Sequence, residues 1–269
     1  MTTSPDRLVA NCSILFTELP WTQRPAAAAR NGFSAIEFWW PFAAAVPSSS
    51  EITQFTDSIS NAGVRLAGLN FFAGDMPAGE RGVLSHPARV TEFTEHVGVV
   101  EQIARATGCR FFNALYGNRL DGDTPERQDE TALENLANLA TFTNALDATV
   151  MLEPVSGVEA YPLKVADDVI AVLDRASKSG STTRLGFLAD FYHLDTNGDD
   201  VPSVIERYAD RVVHVQVADS PGRGEPGSGT LPLASWIAAL DATGYDGMVA
   251  LEYKPTTTTE ESFSWRGTI

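Results

Sequence analysis

Four hydrophobic runs in this 269-residue chain finish in a side chain that offers oxygen: Val150-Met151-Leu152-Glu153, Leu188-Ala189-Asp190, Val213-His214-Val215-Gln216 and Ala250-Leu251-Glu252. Three carboxylates and an amide oxygen make a donor set for a hard divalent cation such as Mg²⁺ or Mn²⁺, with positions left for substrate oxygens or water. Carboxylates of this kind can also take up and return a proton. A divalent cation held in this way stabilises negative charge that develops on a substrate oxygen. A single strand-end carboxylate is as readily a solvated surface group. Four in register argue for one shared centre.

A ring of parallel strands would bring them together. Residues 8–16, 35–40, 64–70, 110–115, 149–153, 185–190, 211–217 and 247–252 read as strands, rich in Val, Ile, Leu and Phe. Helical spacing follows at 23–30, 51–61, 86–107, from the Thr124-Pro125 start to Leu146, and at 166–176, 201–208 and 233–240, with Gly32, Gly63, Gly108 and Gly244 as stops. Eight such units predict an α/β fold, a single (β/α)₈ TIM barrel domain over residues 1–269, in which strands five to eight form one arc and aim their last side chains at the C-terminal mouth. No Gly-x-Gly-x-x-Gly follows the first strand, which disfavours a dinucleotide-binding sheet. The connection at residues 73–82, with Asp75, Glu80 and Arg81 among glycines and proline, is long enough to be expected to serve function.

A formal charge of −16 argues against nucleic acid and anionic membranes as partners, because a phosphate surface needs a basic patch to displace its counterions. The start of the chain has no basic, apolar leader and no stretch approaches about 18 uninterrupted apolar residues, so a cytoplasmic protein is expected. Cys12 and Cys109 have neither zinc nor redox spacing and are read as buried thiols.

Several segments carry a wider likeness: Asn11 to Phe16, Ile36-Glu37-Phe38, Asn70 to Gly82, Glu153-Pro154, Asp190-Phe191-Tyr192-His193, His214 to Asp219, Arg223 to Gly227, and Glu252-Tyr253-Lys254-Pro255. Through them the chain resembles the hydroxypyruvate isomerase family, a branch of the xylose isomerase-like barrels that also holds ketose 3-epimerases. The resemblance implies that Glu153, Asp190, Gln216 and Glu252 bind a divalent metal and that Glu153 and Glu252 are the catalytic proton carriers. It implies substrate contacts from His193 and Arg223, and from Glu159 as a weaker carry-over; Asn70 and Lys254, inside the shared motifs, complete the expected substrate-binding set. The epimerases generally have histidine where this chain has Gln216, which favours the isomerase branch. The implied substrate is hydroxypyruvate, isomerised to 2-hydroxy-3-oxopropanoate, with a 2-oxo-tetronate or a ketose as alternatives.

Other readings of these residues stay open at this level. His193 also suits a turn cap, and His214 a packed barrel histidine. Trp39, Trp40, Phe71 and Phe72 suit a pocket wall, the core, or the interface of a homo-oligomer. Arg81 and Lys254 could meet a substrate carboxylate or form surface ion pairs, and Arg223 is the first choice because its glycine-rich loop can carry it over the mouth. A DNA-repair endonuclease would need more than the four histidines present and a basic groove. A non-catalytic sugar sensor would have little use for two glutamates at a metal.

Overall fold

The computed structural model describes residues 7–266. Its strands, β1 (Leu8–Asn11), β2 (Ala35–Phe38), β3 (Arg65–Asn70), β4 (Phe111–Asn113), β5 (Thr149–Leu152), β6 (Leu185–Asp190), β7 (Val212–Val217) and β8 (Val249–Leu251), pair in sequence order. All pairs are parallel, and β8 closes onto β1, with Val9 beside Ala250, so the sheet has no free edge. Helices α1 (Arg24–Arg30), α2 (Ser49–Ala62), α3 (Val90–Thr107), α4 (Pro125–Asn138), α5 (Ala140–Leu146), α6 (Ala166–Lys178), α7 (Phe191–Thr196), α8 (Val201–Tyr208) and α9 (Leu233–Ala242) occupy the connections. Among the described helices none is long and apolar enough to cross a membrane.

Side chains alternate across each strand, and this sorts the interior into layers. Outward-facing residues such as Ile36, Phe38, Val215, Val217 and Leu251 join the large apolar layer beneath the helices. Inside the barrel, small residues fill one end, where Val9, Ala35, Ala67 and Ala250 pack together. Two residues further along the same strands stand Asn11, Glu37 and Glu252, joined by His214 and Gln216 of β7, all buried. The barrel is therefore apolar at its floor and ionic toward its mouth.

Two differences from the sequence expectation have local causes. The expected helix from Thr124 to Leu146 is two helices, broken at Leu139, where the Leu139 N–H turns back to the Leu136 carbonyl while the Thr183 hydroxyl donates to that same carbonyl at 2.7 Å. Helix α7 begins directly after β6 because the Asp190 carboxylate caps the Tyr192 and His193 N–H groups at 2.9 and 3.1 Å. The two cysteines are buried and free, and burial pushes the Cys109 thiol up to about 12.

Phe71 and Phe72 belong to the core and do not line the cavity at the barrel mouth, and with Trp40 they surround His96 of α3. The Phe72 N–H donates to His96 Nε2 at 2.9 Å, so the ring proton lies on Nδ1 and is donated to the Ala45 carbonyl at 2.8 Å. One neutral imidazole thus ties the chain leaving β2 to the chain leaving β3. Burial lowers its pKa to about 4 from an ordinary 6.5. Because the unfolded chain takes up this proton more readily, stability from this site is complete above pH 6.5 and is lost as pH falls toward 4. About two and a half pH units correspond to about 3 kcal/mol. In urea titrations the advantage of wild type over His96→Gln should shrink by about that amount between pH 7 and 4; parallel curves would remove His96 as the cause.

Candidate active site

The layered barrel places the four oxygen-bearing strand ends on one arc of the mouth, and all four side chains are buried. They form two linked groups. In the first, Glu153, Asp190 and His193 bring ligand atoms within 4.8 Å of one another. Asn113 Nδ2, from the end of β4, donates to Glu153 Oε1 at 2.6 Å, while Glu153 Oε2 is buried without a partner. Asp190 spends one oxygen on the start of α7 and turns the other toward His193 Nε2 at 3.6 Å and Arg223 Nη2 at 3.7 Å.

In the second group Glu252 Oε2 accepts from Asn11 Nδ2 at 2.9 Å and from the Gln216 amide, and its Oε1 accepts from Arg223. Gln216 Nε2 also donates to Glu37 Oε1 at 2.8 Å. Two carboxylates taking the amide hydrogens fix which way Gln216 points, and its Oε1 is left buried without a partner. Glu37 completes its set with Asn11 at 2.8 Å and His214 Nε2 at 2.7 Å, so His214 is a packed barrel histidine. A Cβ on the facing Gly68 would lie 3.2 Å from Glu37 Oε2, so glycine makes room for this carboxylate.

Glu37, Asn11 and Asn113 are the members the sequence reading did not single out. Their signal was present: each is a polar side chain at the end of an apolar strand, on the inward-facing parity.

Charge explains the electrostatics. Burial, then the neighbouring Asp190 charge, raise the Glu153 carboxyl to about 8. Burial also pushes Glu252 well upward, against the pull of Arg223. Arg223 moves the other way from what burial favours: Glu252, Asp190 and Glu153 hold its guanidinium charged. It sits at φ 59°, a left-handed conformation that costs a non-glycine residue about 1 kcal/mol, fixed by the Lys254 N–H on its carbonyl at 2.7 Å. Burial lowers His193 to about 4. Its Nδ1 accepts the Ser156 N–H at 3.1 Å, so the ring is neutral and its remaining proton, on Nε2, faces the carboxylates.

These residues fit a divalent cation. Glu153 Oε2, Gln216 Oε1 and Asn113 Oδ1 are buried oxygens with no donor, and burial and the Asp190 charge raise the Glu153 carboxyl; a cation among these oxygens would relieve both conditions. The donors are all oxygen, as a hard ion requires. His193 lies close enough to join, but with Nε2 protonated it is a hydrogen-bond donor there.

A cavity of about 580 Å³ opens over this floor, lined by Glu153, Glu252, His193, Arg223, Asn70 and Lys254, with Trp39, Met76, Pro77 and Arg81 at its wall. The loop at 73–82 therefore reaches the site, as its length suggested. Glu159 does not: its side chain is exposed and outside the cavity, because the chain turns at Gly157 and leaves Ser156 and Val158 facing inward. That expectation is corrected. Arg223 is at the mouth as expected, yet its fork already grips protein carboxylates.

Residues 25–268 match the model of the xylose isomerase-like TIM barrels. The chain belongs to that family. Within it, the chain is 47% identical over 264 residues to a putative hydroxypyruvate isomerase of Streptomyces coelicolor, covering 96% of this chain and 95% of that one. It is 30% identical to the hydroxypyruvate isomerase of Escherichia coli, covering 96% and 97%. It is 31% identical to a 2-oxo-tetronate isomerase of Cupriavidus necator, covering 96% of each. A crystal structure described as AP endonuclease, family 2, from Brucella melitensis superposes with a TM-score of 0.85 at 28% identity, over 97% of each chain. The chain is thus a member of the hydroxypyruvate isomerase family, and as such an isomerase.

The Glu37 network makes a stability prediction of its own. In Glu37→Gln one amide hydrogen must face Asn11, Gln216 or His214, all of which already donate. A loss of about 1–3 kcal/mol in chemical denaturation is expected; an unchanged midpoint would show that the network rearranges freely.

Proposed function

We propose that the chain isomerises hydroxypyruvate and 2-hydroxy-3-oxopropanoate, with Glu153 and Glu252 as proton carriers and a divalent cation, Mg²⁺ or Mn²⁺, held by Glu153, Asp190, Gln216 and Glu252. The observation that carries this is the set of buried, donor-free oxygens at the barrel mouth, Glu153 Oε2, Gln216 Oε1 and Asn113 Oδ1, of which Glu153 also lines the cavity. The likeness to hydroxypyruvate isomerases supports the substrate.

When bound, the cation would supply Lewis-acid stabilisation of negative charge on the substrate oxygens. The chain's own residues do the rest. In this reading Glu153 takes the C3 proton as the carbonyl electron pair moves onto the C2 oxygen and a C2–C3 double bond forms. A proton returned to C2, with loss of the C3 hydroxyl proton and protonation of the C2 oxygen, leaves an aldehyde at C3 and a hydroxyl at C2. Glu252, from a strand three places along the ring, is the partner that supplies or shuttles a proton. His193 offers its Nε2–H to a substrate oxygen. Arg223 holds Glu252 in place and keeps it from swinging across the cavity. Because the two carboxyls share one centre, the pair titrates as a unit.

A four-carbon 2-oxo-tetronate is the second reading. It is favoured by the cavity, whose roughly 580 Å³ exceeds what a three-carbon acid fills, and by the 2-oxo-tetronate isomerase relative.

Chelation should abolish turnover and Mg²⁺ or Mn²⁺ should restore it; full activity in protein shown by elemental analysis to be metal-free would sink the metal assignment. Glu252→Gln should lower turnover by at least about 10²-fold, and an unchanged rate of solvent deuterium entry into the substrate would remove Glu252 from the proton path. Comparing kcat/KM for hydroxypyruvate, a 2-oxo-tetronate and a neutral ketohexose decides the substrate. The acids should be preferred, and a best rate with the ketose would overturn the reading.

A further inference from the structure

The geometry points to a carboxylate-binding subsite formed by Arg81 and Lys254 at the cavity wall, separate from the Arg223 fork. It deepens the keto-acid reading above and rests on it. A keto-acid carries a fixed negative charge into a site whose floor is already crowded with carboxylates, so it needs a cation not already neutralised. Arg223 is not that cation: its Nη2 is on Glu252 Oε1 and 3.7 Å from Asp190, with its guanidinium 5.4 Å from the Tyr192 ring.

Arg81 is differently placed. In an acid-rich chain where ten arginines form ion pairs with carboxylates, Arg81 pairs with none among the described residues, although it is half-buried at the cavity wall. Its Nη1 is steadied by the Met76 and Glu80 carbonyls at 3.0 and 2.6 Å, which orient the guanidinium without cancelling its charge. The backbone beneath it is pinned. The Arg81 carbonyl accepts the Gly117 N–H at 3.0 Å and the Gly82 N–H donates to Ala73 at 2.7 Å. A Cβ on Gly82, at φ 102°, would come within 2.0 Å of the Leu115 carbonyl oxygen, so this close approach requires glycine. Lys254, an exposed residue, lines the same cavity, and its ammonium makes no hydrogen bond or ion pair among the described residues. A steadied guanidinium and an exposed, unpaired ammonium that line one cavity supply the two cations of the proposed carboxylate subsite.

The test compares two substrates that share the hydroxymethyl ketone, hydroxypyruvate and uncharged dihydroxyacetone, and two unreactive inhibitors, glycerate and uncharged glyceramide, on wild type, Arg81→Met, Arg81→Lys and Lys254→Met. The metal-loaded full chain is used throughout. Arg81→Met should cut the acid-over-neutral ratio, in kcat/KM and in inhibition constants, by roughly 10- to 100-fold, mainly through KM. Arg81→Lys should recover part of it, and Lys254→Met should move it in the same direction. General damage to the loop lowers both compounds together and leaves the ratio alone; the inhibitors decide if dihydroxyacetone does not turn over. An acid preference that survives in both Arg81→Met and Lys254→Met overturns the subsite while the keto-acid reading stands. A wild-type preference for the uncharged compounds overturns the keto-acid reading and the subsite with it.

Discussion

Four buried carboxylates, Glu37, Glu153, Asp190 and Glu252, share one end of a barrel in which Arg223 is the single arginine or lysine paired with them among the described residues. Isolated buried charges are expensive, and in a low-dielectric interior like charges are more so. The arrangement persists because almost every oxygen is assigned a donor: Asn113 for Glu153, the α7 N–H groups for Asp190, Asn11, Gln216 and Arg223 for Glu252, and Asn11, His214 and Gln216 for Glu37. What the donors leave over is a small excess of negative charge and three bare oxygens, Glu153 Oε2, Gln216 Oε1 and Asn113 Oδ1, which is the condition a divalent cation satisfies.

Closure of the barrel makes this crowding possible. Parallel pairing all the way round puts residues of β2, β7, β8 and β1 within hydrogen-bond reach across the interior, and the small floor residues Val9, Ala35, Ala67 and Ala250 let the strands approach below the polar layer. The same closure sends the connecting loops to one rim. There the 73–82 loop and the loop around Arg223 both line the cavity, each held by backbone bonds to its neighbours. Polar side chains on rigid strands form the floor, while the cations that could meet substrate lie on loops.

Two histidines with similar titration play different parts. His96 and His193 are both kept neutral by burial, near 4. His96 uses both ring nitrogens to tie backbone segments together, so it is structural. His193 uses only Nδ1 for that purpose and presents Nε2–H to the cavity. The number of ring nitrogens left for substrate, rather than the pKa, separates them.

The eight strands and most of the helices between them were legible in the chain because period-2 and period-3.6 patterns are local, and a polar residue ending an apolar strand marks the barrel mouth, where Glu153, Asp190, Gln216 and Glu252 stand. The His193 role was half legible, since only the Ser156 bond settles its tautomer. Glu37 stood in a quoted motif at the end of an apolar strand, but its role was not legible, because its partners lie 26 to 179 residues away in sequence. Glu159 misled because one turn at Gly157 decides which neighbours face inward, and no periodicity extends through a loop. Arg223 and Arg81 look alike in a sequence, two arginines among glycines. Only the tertiary structure commits one to protein carboxylates and leaves the other with its charge uncancelled at the cavity wall, because ion pairing depends on distances across the barrel that local sequence does not encode.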